Sequence, residues 1–199
     1  MNRARPLPPD ERRAALIEAT LPLVAVHGTK VTTRQIADAA GVAEGTIFRV
    51  FTDKHELVMA AIAAALDPEP LLAELAAIDL TDPLRIRLVC AVGILQHRLI
   101  SIINLLTAVG INGPPETVER FRRSARPTHE SIYVAIGRIL EPDRQQLRYP
   151  IHEAARYVRL LTFSGSHPMI NDGETLSPSE IVDILLDGVL KCSTGGDTC

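Results

Sequence analysis

Tryptophan is absent from the 199 residues, and aromatic side chains make up only 4% of them. That scarcity disfavours a β-rich core, which draws heavily on aromatic and β-branched residues. Three cysteines (Cys90, Cys192, Cys199) show neither paired metal spacing nor a disulfide framework. Cys90 reads as a small buried hydrophobe and the two tail cysteines as incidental, with a redox switch between Cys192 and Cys199 as the alternative. The six histidines never occur as an H-x-x-x-H pair, so a metal site has no local support. No segment alternates with period two for long enough to form a strand. The start, "MNRARPLPPDERR", lacks the apolar core of a secretory leader, and the most apolar run, Leu99 to Ile111, is short for a membrane span and carries Ser101, Asn104 and Thr107. The expectation is a cytoplasmic protein with no membrane partner.

Large excess charge is missing too. The net charge is −3, with eight Lys+Arg against seven Asp+Glu in residues 1–59 and thirteen against seventeen beyond. The amino-terminal third is relatively basic, but charge alone would not identify a nucleic-acid partner.

What is present is helical. Hydrophobic residues make up 46% of the chain, and prolines punctuate helical patterns instead of clustering. Asp10 is a candidate N-cap for a first helix ending near Gly28, with Ala14, Ile17, Leu21, Val24 and Ala25 as its apolar stripe and Pro22 as a kink. Thr32 and Gln35 form a capping-box pattern opening a short helix that turns Ile36, Ala37 and Ala40 inward and stops at Gly41. A second short helix spans about Glu44 to Phe51 and directs Ile47, with Val50 or Phe51, to the same core. Asp53 and Glu56 repeat the capping signal before a helix reaching about Leu66. Further helices are expected over 71–79, 83–110, 115–125, 127–141, 150–165 and 178–191, giving nine or ten in all.

Two short helices meeting at Gly41, with small Ala37 at their crossing, have the pattern of a helix-turn-helix. The second leaves Gly45, Thr46 and Arg49 facing outward, where its first turn can enter a major groove. The stretch "TTRQIADAAGVAEGTIFRVFTDKHEL", preceded by a helix ending in "HG", resembles the DNA-binding domain of tetracycline-repressor-like (TetR family) regulators over about residues 10–60. The resemblance implies an all-α fold: a three-helix helix-turn-helix domain (1–58) followed by a helical effector-binding and dimerisation domain (59–199). It implies DNA contacts from Thr32, Thr33, Arg34, Thr46, Phe48 and Lys54, with Glu44, Gly45 and Arg49 where sequence preference varies. Phe48 stands where tyrosine is commoner, and reads equally as a groove-edge or a core ring. Ala43 stands where serine often caps, at a cost of about 1 kcal/mol.

Catalysis finds no foothold. "FSGSHP" (Phe163 to Pro168) is not a nucleophile elbow and has no preceding strand, so it reads as a helix end and loop. No cofactor is implied.

The chain beyond the motif is larger than DNA binding requires. Ala154, Tyr157, Val158 and Leu161 form one apolar stripe, and Ile181, Ile184, Leu185 and Val189 another; by resemblance they pair across a homodimer, otherwise they face their own core. Gln96, His97, Arg98, Asn104 and Thr107 interrupt the apolar pattern from Arg85 to Val109, and with Phe121, Tyr133 and Phe163 they are candidates to line a pocket for a mostly apolar effector, or else surface polars and core rings. The functional expectation is a one-component repressor on a palindromic operator, with a helical small-molecule-binding protein carrying a vestigial helix-turn-helix as the rival.

Overall fold

The computed structural model describes residues 8–108, 126–168, 170, 171 and 173–189. Among them are eight α-helices and no strand: α1 (Pro9–His27), α2 (Thr33–Ala39), α3 (Lys54–Leu66), α4 (Glu69–Ala76), α5 (Leu84–Ala108), α6 (Arg126–Leu140), α7 (Ile151–Ser166) and α8 (Pro178–Val189). Short 3-10 segments cover Gly28–Lys30, Glu44–Arg49 and Glu141–Gln146. The all-α expectation is met. The helix expected over 115–125 lies outside the described residues, as do Phe121, Cys192 and Cys199.

The chain divides into two compact units, one built from residues up to Asp67 with Ile102 to the end of α5, the other from Pro68–Ser101 and from α6 onward. In the first, α1 packs on α2 and α3, and α2 on the Glu44–Arg49 segment. Its core gathers Leu16, Val24, Val31, Ile36, Ala37, Ile47, Phe51, Leu57, Val58, Ile62, Ala65 and Leu105.

The buried stripe of α1 differs from the expected one. Leu16, Thr20 and Val24 face inward, while Ala14 and Ala25 are exposed and Ile17 and Leu21 flank the stripe. Pro22 explains the rotation. It has no N–H for the Glu18 carbonyl, so that face turns to water, and Thr20 and Val24, two residues either side, fall opposite. The helix begins at Pro9 with Pro8 at its cap position, so Asp10 lies in the first turn instead of capping it.

In the second unit α6 packs on α4 and α7, and α7 on α8. The core collects Leu71, Leu75, Leu88, Ala91, Val92, Leu95, Ile132, Ile136, Ile139, Ala154, Ala155, Val158, Ile181, Val182 and Leu185. Arg87 lies among them almost wholly buried, its guanidinium donating to the carbonyls of Asp82 and Ile139 and to the Asp143 carboxylate. Cys90, expected to be buried, is exposed on the opposite side of α5. By length and composition α5 is the one helix among the described residues that could cross a membrane. It is longer than the run read from sequence, because the helix continues amino-terminally to Leu84; a third of its most apolar window is buried within the protein.

Candidate nucleic-acid interface

The local frame of the interface is set by caps. At the entry to α2 the Thr32 N–H donates to Gln35 Oε1 at 2.9 Å, and the Gln35 N–H donates to Thr32 Oγ1 at 3.2 Å. The capping box read from the sequence is therefore closed on both sides. At the exit, Gly41 has φ of 66°. The Val42 N–H donates to the Ala37 carbonyl at 3.0 Å and the Gly41 N–H to that of Asp38 at 3.2 Å. This pair of bonds is a Schellman ending, and its left-handed residue is best supplied by glycine.

The chain re-enters helical geometry at Glu44 as a six-residue 3-10 segment, where the sequence pattern suggested an α-helix to Phe51. Ala43 caps it with no side-chain hydrogen bond, as its lack of an oxygen requires. Ile47 is the segment's one fully buried side chain; Glu44, Gly45, Phe48 and Arg49 are exposed and Thr46 is half-buried. Phe48, left open between core and surface by the sequence, is 54% exposed. Phe51 takes the inward position, covered by the Arg13 guanidinium 4.3 Å above its ring.

Four of the candidate side chains, Thr32, Thr33, Glu44 and Lys54, hold the frame. Thr33 donates its hydroxyl hydrogen to Glu44, tying the start of α2 to the start of the 3-10 segment. Lys54 Nζ donates to the carbonyls of Thr29 and Val31, each at 3.0 Å, and so clamps the connection between α1 and α2. Asp53 accepts from the Glu56 N–H at 2.8 Å. Glu56 returns its carboxylate to the N–H and hydroxyl of Thr52, one residue earlier than a standard box, and those bonds, aided by Arg13, hold its pKa below the usual carboxylate value. Arg34 and Arg49 are exposed and make no ion pair among the described residues. Two ungated guanidinium forks, a bare glycine and an exposed ring thus share the surface around the 3-10 segment.

The other sequence candidates are placed differently. Gln96 is buried and donates to Ser166 Oγ at 3.0 Å and to the Leu176 carbonyl at 2.7 Å, so it ties α5 to the end of α7. His97, Asn104 and Thr107 are exposed, Arg98 is half-buried and already partnered, and Phe163 is 40% exposed. Tyr133 is half-buried and accepts from Arg159 at 2.8 Å. One open cavity of about 530 Å³ is lined by Glu141, Arg144, Leu147 to His152, another of about 460 Å³ by Val26 to Lys30, Gln35 and Ala108; neither gathers these residues. In "FSGSHP", Ser166 donates to the Thr162 carbonyl and the Phe163 ring lies 5.2 Å from that of His167, consistent with a helix end. Of the two stripes, Ala154, Val158, Ile181 and Leu185 are core residues of their own unit, Tyr157 and Leu161 are half-buried, and Ile184 is 50% exposed. Val189 ends α8 with its side chain outside the described residues. Sequence reading missed Arg87 and Arg159, although Arg87 stands on the Ala91–Leu95 stripe at intervals of four.

The description "bacterial regulatory proteins, tetR family" fits residues 16–61, the span running from α1 into α3. Solved structures share the whole fold. A tetR-family regulator from Mesorhizobium loti is 16% identical, with a TM-score of 0.59 over 94% of this chain and 100% of that one. A transcriptional regulator from Rhodococcus sp. RHA1 is 23% identical, with a TM-score of 0.57 over 89% and 94%. NalD, the secondary repressor of the MexAB-OprM multidrug efflux pump in Pseudomonas aeruginosa, is 20% identical, with a TM-score of 0.51 over 94% and 100%.

Proposed function

With residues 16–61 matching the tetR family of bacterial regulatory proteins, we propose that this chain is a one-component transcriptional repressor that binds a palindromic operator as a homodimer and leaves it when a small, mostly apolar effector binds. The observation that carries the reading is the 3-10 segment: capped, tied back to α2, anchored by Ile47, and otherwise turned to solvent with Arg49 and Phe48 displayed. Arg34 and Arg49 supply forks for phosphate or guanine edges and Thr46 a short hydroxyl for phosphate, whereas Thr32 and Thr33, whose hydroxyl hydrogens go to Gln35 and Glu44, shape the surface beside them. Gly45 lets backbone approach DNA closely. Glu44 holds Thr33 and is repelled by phosphate, so its part is to orient the segment. Lys54 has one N–H left after clamping Thr29 and Val31, and that one is offered to the DNA backbone.

Residues 1–58 are the proposed reading head, and 59–199 the dimerisation and effector portion. Since Ala154, Val158, Ile181 and Leu185 are already covered, the proposed contact uses the outer faces of α7 and α8: Tyr157, Leu160, Leu161 and Ile184, with Arg156 on one helix and Asp187 on the other. A two-fold axis would bring the basic edge of one protomer to the acidic edge of its partner. The reading segments must then lie about 34–36 Å apart to reach successive major-groove faces.

The test is selection of duplexes from a random pool by the purified protein, read by sequencing. The expected result is an enriched palindrome whose affinity drops on the order of 10³-fold between roughly 50 and 200 mM salt. Arg34→Ala or Arg49→Ala should weaken it, and a base-reading arginine should also relax preference at one position. Folded, dimeric protein that enriches nothing would reject the reading in favour of a ligand-binding protein with an unused helix-turn-helix.

A further inference from the structure

Most arginines with resolved partners in this protein face a carboxylate: Arg13 meets Glu56, Arg85 Asp183, Arg87 Asp143 and Arg144 Glu141. Arg159, on α7, does not. It is half-buried, yet its one hydrogen bond runs from Nη1 to the Tyr133 hydroxyl at 2.8 Å, and its guanidinium carbon lies 5.3 Å from the centre of that ring. A guanidinium carries five N–H donors. Four of them have no partner among the described residues, and a partly desolvated cation is normally paired. The charge is held in place by Tyr133 but not neutralised.

Its surroundings favour an anion from outside. Tyr133 accepts from Arg159, so its own O–H hydrogen remains free to donate to a second acceptor. One turn earlier on α6, His129 is half-buried; burial, and then the charge of Arg159, lower its pKa and so favour the neutral imidazole over a competing cation. Its neighbour Glu130 is exposed and forms no ion pair with Arg159. One turn beyond Arg159 on the same face of α7 stands Phe163, an exposed ring able to cover an apolar body. Because α6 and α7 pack together, cation, phenol, neutral imidazole and ring fall within two helical turns. Tyr133 and Phe163 were already legible as pocket candidates; Arg159 gives them a charge to work with.

We propose that Arg159 and Tyr133, flanked by His129 and Phe163, bind the carboxylate of a small aromatic acid, and that this is the head-group site of the effector. The inference rests on the reading of the chain as a ligand-responsive regulator. The guanidinium presents a fork to the two carboxylate oxygens, and the Tyr133 hydroxyl donates a third hydrogen bond. The aromatic body lies along Phe163.

Calorimetric titration of the full-length protein with benzoate and with benzamide tests it. The two share shape and differ in charge. Benzoate is expected to bind at least about tenfold more tightly than benzamide. Arg159→Gln should erase that preference, and Arg159→Lys, which keeps charge without the fork, should restore part of it. Circular dichroism and thermal unfolding check each variant's fold. If Arg159→Gln does not fold, Tyr133→Phe keeps the ring, removes the O–H, and should weaken benzoate several-fold. No benzoate binding below about 10 mM, equal binding of the two probes, or an unchanged preference in the variants would overturn the site. The duplex selection on the same preparation separates the two claims. An enriched palindrome without benzoate preference rejects the carboxylate site alone, whereas benzoate preference without any enriched duplex keeps the site and rejects the regulator.

Discussion

Arg87 has three different acceptors for its guanidinium, two carbonyls and the Asp143 carboxylate, from within a core of aliphatic side chains. Truncating one partner of such a pair strands the other, so Arg87→Ala should lose about 3–5 kcal/mol in urea unfolding. Arg87→Lys should recover only part of this, because an ammonium cannot span three directions set by a planar fork. The residue was discoverable in principle, since 87, 91 and 95 fall on one face of a helix. Two of its three partners were not, since Ile139 and Asp143 lie more than fifty residues away. Gln96 shows the same limit from the other side. A polar residue in an apolar helix signals a buried hydrogen bond, but the period of the helix does not say whether the acceptor is a ligand or, as here, Ser166 and the Leu176 carbonyl.

At the scale of elements, local chemistry was the most legible. The capping box at Thr32 and the helix stop at Gly41 depend on neighbours a few residues apart, and both stand as read, the stop being made by a left-handed glycine. Gly41→Ala should destabilise by about 1–2 kcal/mol, from backbone geometry alone, because a Cβ there meets nothing within 4 Å. Ala43→Ser should gain about 0.5–1 kcal/mol by supplying the missing cap. Gly45 separates folding from recognition. A Cβ there also meets nothing, so Gly45→Ala should leave the thermal midpoint level or slightly raised while weakening operator binding. A parallel loss of both would place Gly45 in the fold instead of the interface. Less legible was the hand of α1, because an apolar pattern with Ala on several faces leaves its orientation open; Pro22, through the carbonyl it leaves bare, was the clue that decides it.

For the whole molecule, acid should be destabilising in two stages. The pKa of His129 is lowered from 6.5 in the fold by burial and then by Arg159. The unfolded chain therefore binds the proton first, and stability declines as pH falls through and below that value. Glu56 is lowered from 4.5 by its bonds to the Thr52 N–H and hydroxyl, so its contribution is present above that value and disappears as pH falls through the folded one. Thermal midpoints from pH 7.5 to 3 should show both, and His129→Gln should flatten the upper stage only. At this scale the sequence was least informative about what covers each apolar stripe. Ala154, Val158, Ile181 and Leu185 repeat at helical intervals whether a helix packs on its own chain or on another, whereas Leu160, absent from the apparent stripe, is 44% exposed.

In the segment Glu44–Arg49, Ile47 alone is committed to the interior. Glu44 is tied to Thr33 and Thr46 is half-buried, but Gly45, Phe48 and Arg49 are close to a blank label on a finished package: three exposed positions that the fold does not use. If those positions read DNA, lineages could rewrite the target while keeping one scaffold and one switch, and an engineer could do the same by randomising Gly45, Phe48 and Arg49 around an unchanged Glu44, Thr46 and Ile47.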